Sequence, residues 1–455
     1  MLFQLNAFPR RQFGRELQLI ILLALPMMVA QLAQVGMGFV DTVMAGQLGA
    51  QDLAAVGLGS SIFVTFYVTL IGIPTALNPI LSHLFGAKRH EELAEEARQG
   101  IWLSLLLGLA AMVAMWLLTI PLRAKLQLHA YTVNTTVLYM FGVSLGLPAA
   151  IVQRALQAYT AALNRPQAVM WIGLVGLLLN IPLNYILMHG LFGMPRLGGA
   201  GCGFASAAVY WFNALVLWIY LSKSRYFKAF GLHQNWSLPR WSRIKPTLVL
   251  GFPISLSFFL EVSLFSFIAL LIANLGEHYV AAQQVVIVIT SMIYMLPQTL
   301  GAATSVRVGQ TLGSGERVRA YYVSGVGLCA GIGGALITAS LLIALREPLL
   351  HLFTQDSMVI ATGMSLLLFA AVFQIADSTQ TIASGALRGY KITKIPMLIH
   401  AIAFWMLGLG VGYALAFFAG WGLYGFWTAL VISLTVAAFA LTYYLVYVGR
   451  RRAAL

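Results

Sequence analysis

The chain has 455 residues, of which 60% are A, V, I, L, M, F, W, Y or C and only 9% are charged. A soluble protein carries about 25% charged residues, and a core of this length cannot hide so much apolar surface. That excludes a soluble enzyme, a nucleic-acid binder and a secreted disulfide scaffold, and leaves an integral membrane protein surrounded by the lipid bilayer.

The first apolar run follows Arg10, Arg11 and Arg15 and continues from Leu17 beyond Val40. A signal-peptide core spans about 7–15 residues, so this run reads as a retained helix. Apolar stretches of about 20 residues recur along the chain. The expected spans are 17–41, 53–77, 99–119, 132–153, 168–189, 200–222, 246–275, 280–303, 321–345, 358–383, 396–418 and 422–448. The connection 223–245 is rich in Lys, Arg and Trp and parts them into two sets of six, giving expected lobes 1–230 and 231–455. With the N-terminus placed in the cytoplasm, only Arg123, Lys125, Arg196 and Arg346 of the 27 basic residues fall outside. The net charge of +14 therefore reads as an orientation signal, with both termini cytoplasmic. Cys202 and Cys329 lie in apolar runs of different halves and read as small hydrophobes rather than a disulfide.

The halves are copies at a constant offset of 227 positions. Pro26 meets Pro253, Leu48-Gly49 meets Leu275-Gly276, Ala54-Ala55 meets Ala281-Ala282, Tyr67 meets Tyr294, Gly86 meets Gly313 and Gln153 meets Gln380. Later the register slips, and Gly203-Phe204 corresponds to Gly425-Phe426. Each copy has an even number of spans, so the two share one orientation and relate by an axis along the membrane normal. Such parallel repeats belong to secondary transporters, with a duplicated channel or scaffold as the plain alternative. Pro26 and Pro253, early in equivalent spans, each remove a helix hydrogen bond and offer a kink or a hinge.

Acidic residues are few. Glu91, Glu92, Glu95 and Glu96, beside Lys88, Arg89 and Arg98, read as a solvated helical face. Asp41, Glu261 and Asp377 instead interrupt or end apolar spans, where an ionisable group is costly and function is the default reading. Glu261 corresponds to Gln34 and Asp377 to Ala150, so this pair belongs to the second half alone. Asp41 corresponds to Ile268 and belongs to the first half alone. One acidic site per half suits a coupling ion and a cationic substrate. Basic residues deep in a span are not expected: Arg154, Arg307 and Arg388 fall near cytoplasmic ends, from which they can snorkel. The abundant Met and aromatic side chains suit a greasy, adaptable lining. Gly142-Val-Ser144-Leu-Gly146 matches a nucleophile-elbow pattern but lies inside a span, where it serves as a small-residue packing face. Walker A, H-E-x-x-H and Cys/His cluster motifs are missing from the sequence, so the expectation is a transporter and not an enzyme.

At Asp41-Thr-Val-Met-Ala-Gly-Gln-Leu-Gly49 and Asp52-Leu-Ala-Ala-Val-Gly57, with the Asn164-Arg165-Pro166 turn and the Gly-rich start of the last span, the chain resembles the multidrug and toxic compound extrusion (MATE) family, NorM-like branch. The resemblance covers nearly the whole chain. It implies an all-α polytopic membrane protein of twelve helices in two six-helix lobes, monomeric and seated in the inner (cytoplasmic) membrane. It further implies export of organic cations in exchange for sodium or protons, with no cofactor. Glu261 and Asp377, with Tyr294, match the family's second-lobe cation site, where sodium would bind. Asp41 matches the acidic position of the first lobe, and Asp356 an acidic substrate contact. Gln34, Ser61 and Gln284 are polar lining on the same grounds. A lipid-linked saccharide flippase of related architecture is the alternative, and its anionic substrate would call for Arg or Lys in the cavity. A passive channel would not need acids distributed unequally between two repeats.

Overall fold

The computed structural model describes residues 3, 8–125, 129–234, 236–272 and 275–454. Among them, twelve helices are long and apolar enough to cross a membrane. They are α1 (Arg10–Leu48), α2 (Ala50–Gly86), α3 (His90–Ala124), α4 (Ala130–Ala162), α5 (Gln167–His189), α6 (Ala200–Lys223), α7 (Trp241–Ile272), α8 (His278–Gly313), α9 (Arg317–His351), α10 (Ser357–Gly389), α11 (Lys394–Phe418) and α12 (Leu423–Ala454). The end of the seventh expected span, 273–274, lies outside the described residues. Backbone groups in lipid have no water to satisfy them, so uninterrupted helices are the form this composition can take. The chain is an all-α polytopic membrane protein built as two six-helix repeats.

The repeat is visible in the helix ends. From α3 to α9, and from α4 to α10, both the first and the last residues shift by the offset already seen in the sequence. The register slips after α5, where the first repeat spends Gly190–Gly199 on a connection that the second closes with Ala419–Gly422. The copies differ in continuity. In the first, α2 breaks at Ala76 after Pro74, and α4 breaks at Leu145–Gly146 ahead of Pro148, whose ring removes a helix donor. Their counterparts α8 and α10 run through. In the second, α11 is π-helical over Ala401–Val411 and Ala414–Phe418, whereas α5 is α-helical.

Residue contacts group the chain into two compact units, one of residues 26–255 and the other of residues 1–25 with 256–455. The units do not part at the 223–245 connection. They part inside helices, at Pro26 in α1 and two residues beyond Pro253 in α7. The reason is local packing. The first turns of α1 are fastened to the unit of the second repeat by buried Glu16, which accepts from Arg307 at 2.8 Å and Arg319 at 2.6 Å. Phe3 and Phe8 add ring contacts to Tyr321 and Tyr322 at 5.1 and 4.6 Å. Ile244 of α7 packs instead with Ile73 and Leu103 of the first repeat.

Within each unit, small residues let helices approach. A Cβ on Gly301 of α8 would lie 3.0 Å from the Thr381 carbonyl oxygen of α10. The Gly142–Gly146 motif is a packing face: Cβ atoms there would lie 2.6 Å from Phe204 and 2.7 Å from the Ala207 backbone. Its Ser144 hydroxyl is buried, accepting from Trp116 Nε1 at 2.8 Å. The acidic face of α3 is only partly solvated, contrary to the sequence expectation. Arg98 is 7% exposed, and it joins Glu95 at 2.9 Å and the Gly231 carbonyl at 3.0 Å. Glu95 in turn accepts from Ser237, so Gly231, Leu232 and Ser237 cover that side. Both cysteines are free, Cys202 buried and Cys329 exposed.

Candidate ion and substrate sites

In the unit of the second repeat, α7, α8 and α10 bring Glu261, Tyr294 and Asp377 together. Tyr294 donates its hydroxyl to Glu261 Oε2 at 3.5 Å. The two carboxylates lie close enough for their charges to interact directly. Asp377 is 8% exposed, and its Oδ1 accepts from Gln380 Nε2 at 3.0 Å. Gln380 is held from the far side by His400 of α11, 2.9 Å from its Oε1. An amide oxygen only accepts, so His400 carries its hydrogen on Nε2 and leaves the buried Nδ1 without a partner. The π-helical stretch of α11 starts at the next residue. Gln374, one turn before Asp377, is buried with its Oε1 unpartnered. This is an all-oxygen, two-carboxylate cluster. Its hard donors fit a small monovalent cation or a proton.

The unit of residues 26–255 builds a different site around Asp41, which is 4% exposed. Its Oδ1 accepts from Asn184 Nδ2 at 2.7 Å and its Oδ2 from the Ser206 hydroxyl at 2.7 Å. Asn180 completes the set, accepting from Asn184 at 3.1 Å and donating to Ser206 at 3.4 Å. The sequence singles out Asp41 but not these partners. The signal that could have found them is regular: Asn180 and Asn184, one turn apart in an apolar stretch, share a face of α5, and Cys202 and Ser206 do so on α6. A carboxylate fixed by neutral donors keeps its charge available to a cationic ligand.

The remaining expected residues do not join these clusters in one place. Asp356 is exposed and caps α10, accepting from the amides of Met358 at 2.8 Å and Val359 at 3.2 Å. Ser61 is exposed and donates to the Gly57 carbonyl at 2.8 Å. Gln284 is exposed, while its neighbour Gln283 is buried with both side-chain polar atoms unpartnered. Gln34 is half-buried and shares a pocket with Tyr210, which stacks with Tyr67 at 6.4 Å. Arg154, expected to snorkel, is half-buried and lines a polar pocket with Gln31, Gln34, Asn78 and Gln157.

The MatE family model matches residues 26–186 and again 253–414, so its two copies fall on the two repeats. The chain belongs to the MatE family. A probable multidrug resistance protein NorM of Neisseria meningitidis serogroup B is 53% identical over 443 residues, which are 97% of this chain and 96% of that one. The multidrug resistance protein NorM of Vibrio cholerae is 38% identical, over 94% of this chain and 95% of its own length. Among solved structures, the MATE transporter NorM-NG in complex with rhodamine 6G and a monobody superposes with a TM-score of 0.80 at 47% identity, covering 95% of this chain and 94% of that one. The eukaryotic MATE transporter AtDTX14 shares the fold at a TM-score of 0.87 and 20% identity, covering 97% and 99%. MatE membership makes the chain a multi-pass membrane transporter.

Proposed function

We propose that the chain is a secondary-active multidrug efflux antiporter of the inner membrane, with both termini cytoplasmic. It exports organic cations, such as cationic dyes and antimicrobials, in exchange for sodium or protons by alternating access. Glu261 and Asp377 hold the coupling cation, with the Tyr294 hydroxyl or ring face beside them. Asp41 attracts the cationic substrate. Asp356, Gln34, Ser61 and Gln284 contribute polar contacts along its route, and no cofactor takes part. The protein acts as a monomer.

The observation that carries this reading is the placement of two ionisable carboxylates in one repeat where the other has Gln34 and Ala150. Glu261 and Asp377 interrupt apolar helices of one unit, with Tyr294 3.5 Å from Glu261, an arrangement that calls for a cation. The relatives named for multidrug resistance, and the related structure bound to rhodamine 6G, support small-molecule drugs as cargo. A ligand shifts a conformational equilibrium only through differential affinity, so coupling requires ion and drug to favour opposite-facing states. Drug leaves outward as the ion binds, and the transporter resets as the ion departs inward.

The test is ethidium efflux from proteoliposomes, with a sodium gradient and a pH gradient imposed separately. Efflux driven by one gradient and abolished by its collapse is the expected result. Ethidium movement that follows only its own gradient, with no counterflow, would instead mean a passive channel.

A further inference from the structure

The polar pocket in the unit of residues 26–255 lies between α1, α2, α4 and the start of α5. Its cavity volume is about 20 Å³ beneath an open mouth, room for one small ion or the end of a larger molecule. Neutral amides and one cation face it: Gln31, Gln34, Asn78, Gln157 and Arg154. Arg154 donates Nη1 to Gln157 Oε1 at 3.2 Å, and among the described residues it forms no ion pair. Asn78 is 7% exposed and has a buried side-chain oxygen with no partner. Turning that amide over would present a donor at the same place.

The repeat gives this pocket its meaning. The offset of 227 that takes Gln34 to Glu261 also takes Tyr67 to Tyr294, Ala150 to Asp377, Gln153 to Gln380 and Arg154 to Thr381. Of these counterparts Gln34 and Arg154 line the pocket, within one unit and on helices equivalent to those of the cation cluster. Both carboxylates have become uncharged, and the hydroxyl one turn beyond Asp377 has become a guanidinium. Tyr67, the counterpart of Tyr294, stacks instead with Phe63 and Tyr210. The pocket thus presents a guanidinium where the second repeat has a hydroxyl, and an amide where it has a carboxylate. A guanidinium is charged at any accessible pH, and away from bulk water it is costly without an anionic partner. No acidic side chain in the pocket supplies that partner.

We propose that this pocket is an anion-binding site, in which Arg154 and the amides of Gln31, Gln34 and Gln157 receive a monoanionic group. The group comes either from a free halide or from the carboxylate of a transported molecule. The inference goes beyond the antiport reading and does not depend on which cation is coupled.

The experiment uses the full chain in lipid nanodiscs at constant sodium, with gluconate as the inert anion. Binding of radiolabelled chloride is measured beside binding of two cationic dyes: rhodamine B, which carries a free carboxylate, and rhodamine 6G, its close relative in which that group is an ester. A free-anion site predicts saturable chloride binding that R154Q weakens by roughly tenfold or more and R154K preserves. A drug-carboxylate site predicts the same loss for rhodamine B, with rhodamine 6G held within about threefold. Q31E places a carboxylate in the pocket and should displace whichever anion binds while leaving rhodamine 6G binding in place. That keeps the test decisive if R154Q fails to fold. Wild-type protein that binds neither chloride nor rhodamine B more tightly than its R154Q or Q31E variant would hold only water in the pocket, and the proposal would be wrong. Equal loss of both dyes in Q31E would also overturn it, because the effect would then not depend on the anionic group.

Discussion

Glu16 and Arg243 occupy equivalent positions of the two repeats and carry opposite charges, and each is paired to the unit it helps to build. Glu16 is fully buried between Arg307 and Arg319. Arg243, whose side chain is 44% exposed, reaches Glu96 at 2.9 Å. The same turn of the same helix is thus fastened twice, with the sign reversed. A segment that carries the wrong charge for one unit carries the right one for the other.

The two fastenings should differ in strength. Glu16→Gln leaves two guanidinium groups facing each other around a neutral amide, and breaking a buried pair costs about 3–5 kcal/mol. Arg243→Ala removes an exposed pair worth roughly 0–1 kcal/mol. Thermal unfolding of the detergent-solubilised protein should show a fall of several degrees for E16Q and little change for R243A. Equal shifts would mean that burial does not govern the strength of these pairs.

Glu261→Gln and Asp377→Asn keep side-chain shape and remove charge. Each variant should fold, be extracted from the membrane like wild type, and still bind a dye such as rhodamine 6G. Each should lose efflux stimulated by the ion gradient. Pumping by E261Q at the wild-type rate would place the coupling site elsewhere, with Asp41 next to be tested.

Asp41→Asn should weaken a monovalent organic cation more than a neutral ligand of similar shape, by roughly tenfold, because one charge-assisted contact is lost. The two affinities can be read by fluorescence anisotropy on the same preparation. Equal weakening of both ligands would point to a structural part for the Asp41–Asn184–Ser206 cluster.

If Asp377 holds the coupling cation as proposed, His400 acts on it through Gln380, as a positioning residue. His400→Leu frees the amide of Gln380 to turn and so releases Asp377 Oδ1 from its fixed donor. Dye binding should stay within about threefold, while apparent affinity for the coupling cation falls by roughly tenfold. The readout is the cation concentration that half-saturates protection of the protein against thermal unfolding. An unchanged midpoint would show that Asp377 is oriented without His400.

Orientation can be checked with single cysteines in a background lacking Cys202 and Cys329. Exposed positions such as Arg89, Glu91, Lys228 and Arg240 should react only with reagents that enter the cytoplasm. Exposed Ala50 and Gln51 should react with impermeant reagents from outside. Labelling of the 223–245 segment from outside would reverse the assignment made from the basic residues.

Much of this is legible in the sequence because a bilayer simplifies the problem. Span lengths follow from its thickness, and carboxylates such as Glu261 and Asp377 stand out against an apolar background. Neutral polar residues do not stand out in this way. Asn180, Asn184, Ser206 and Gln380 cost far less than a charge, so only their one-turn spacing or their place near a charged residue betrays them. Arg154 shows the same limit: its place near a span end suits a side chain reaching for water, but the amides of Gln31, Gln34, Asn78 and Gln157 that share its pocket lie on three helices and carry no signal in the sequence. The crossing of α1 and α7 between units is invisible, because the sequence is continuous there and the company each segment keeps is decided by the ion pairs of Glu16 and Arg243 and by the packing of Phe3, Phe8 and Ile244.

That crossing bears on ancestry. If a single repeat once stood alone, two copies of it would have had to exchange their first helical turns to complete either fold, as swapped dimers do. Fusing two such copies end to end preserves the exchange inside one polypeptide. A chain cut between residues 230 and 231 would therefore not fall into two self-sufficient halves. Each fragment would lack a segment of its own unit and hold one that belongs to the other, so the fragments should regain a folded state only when made together.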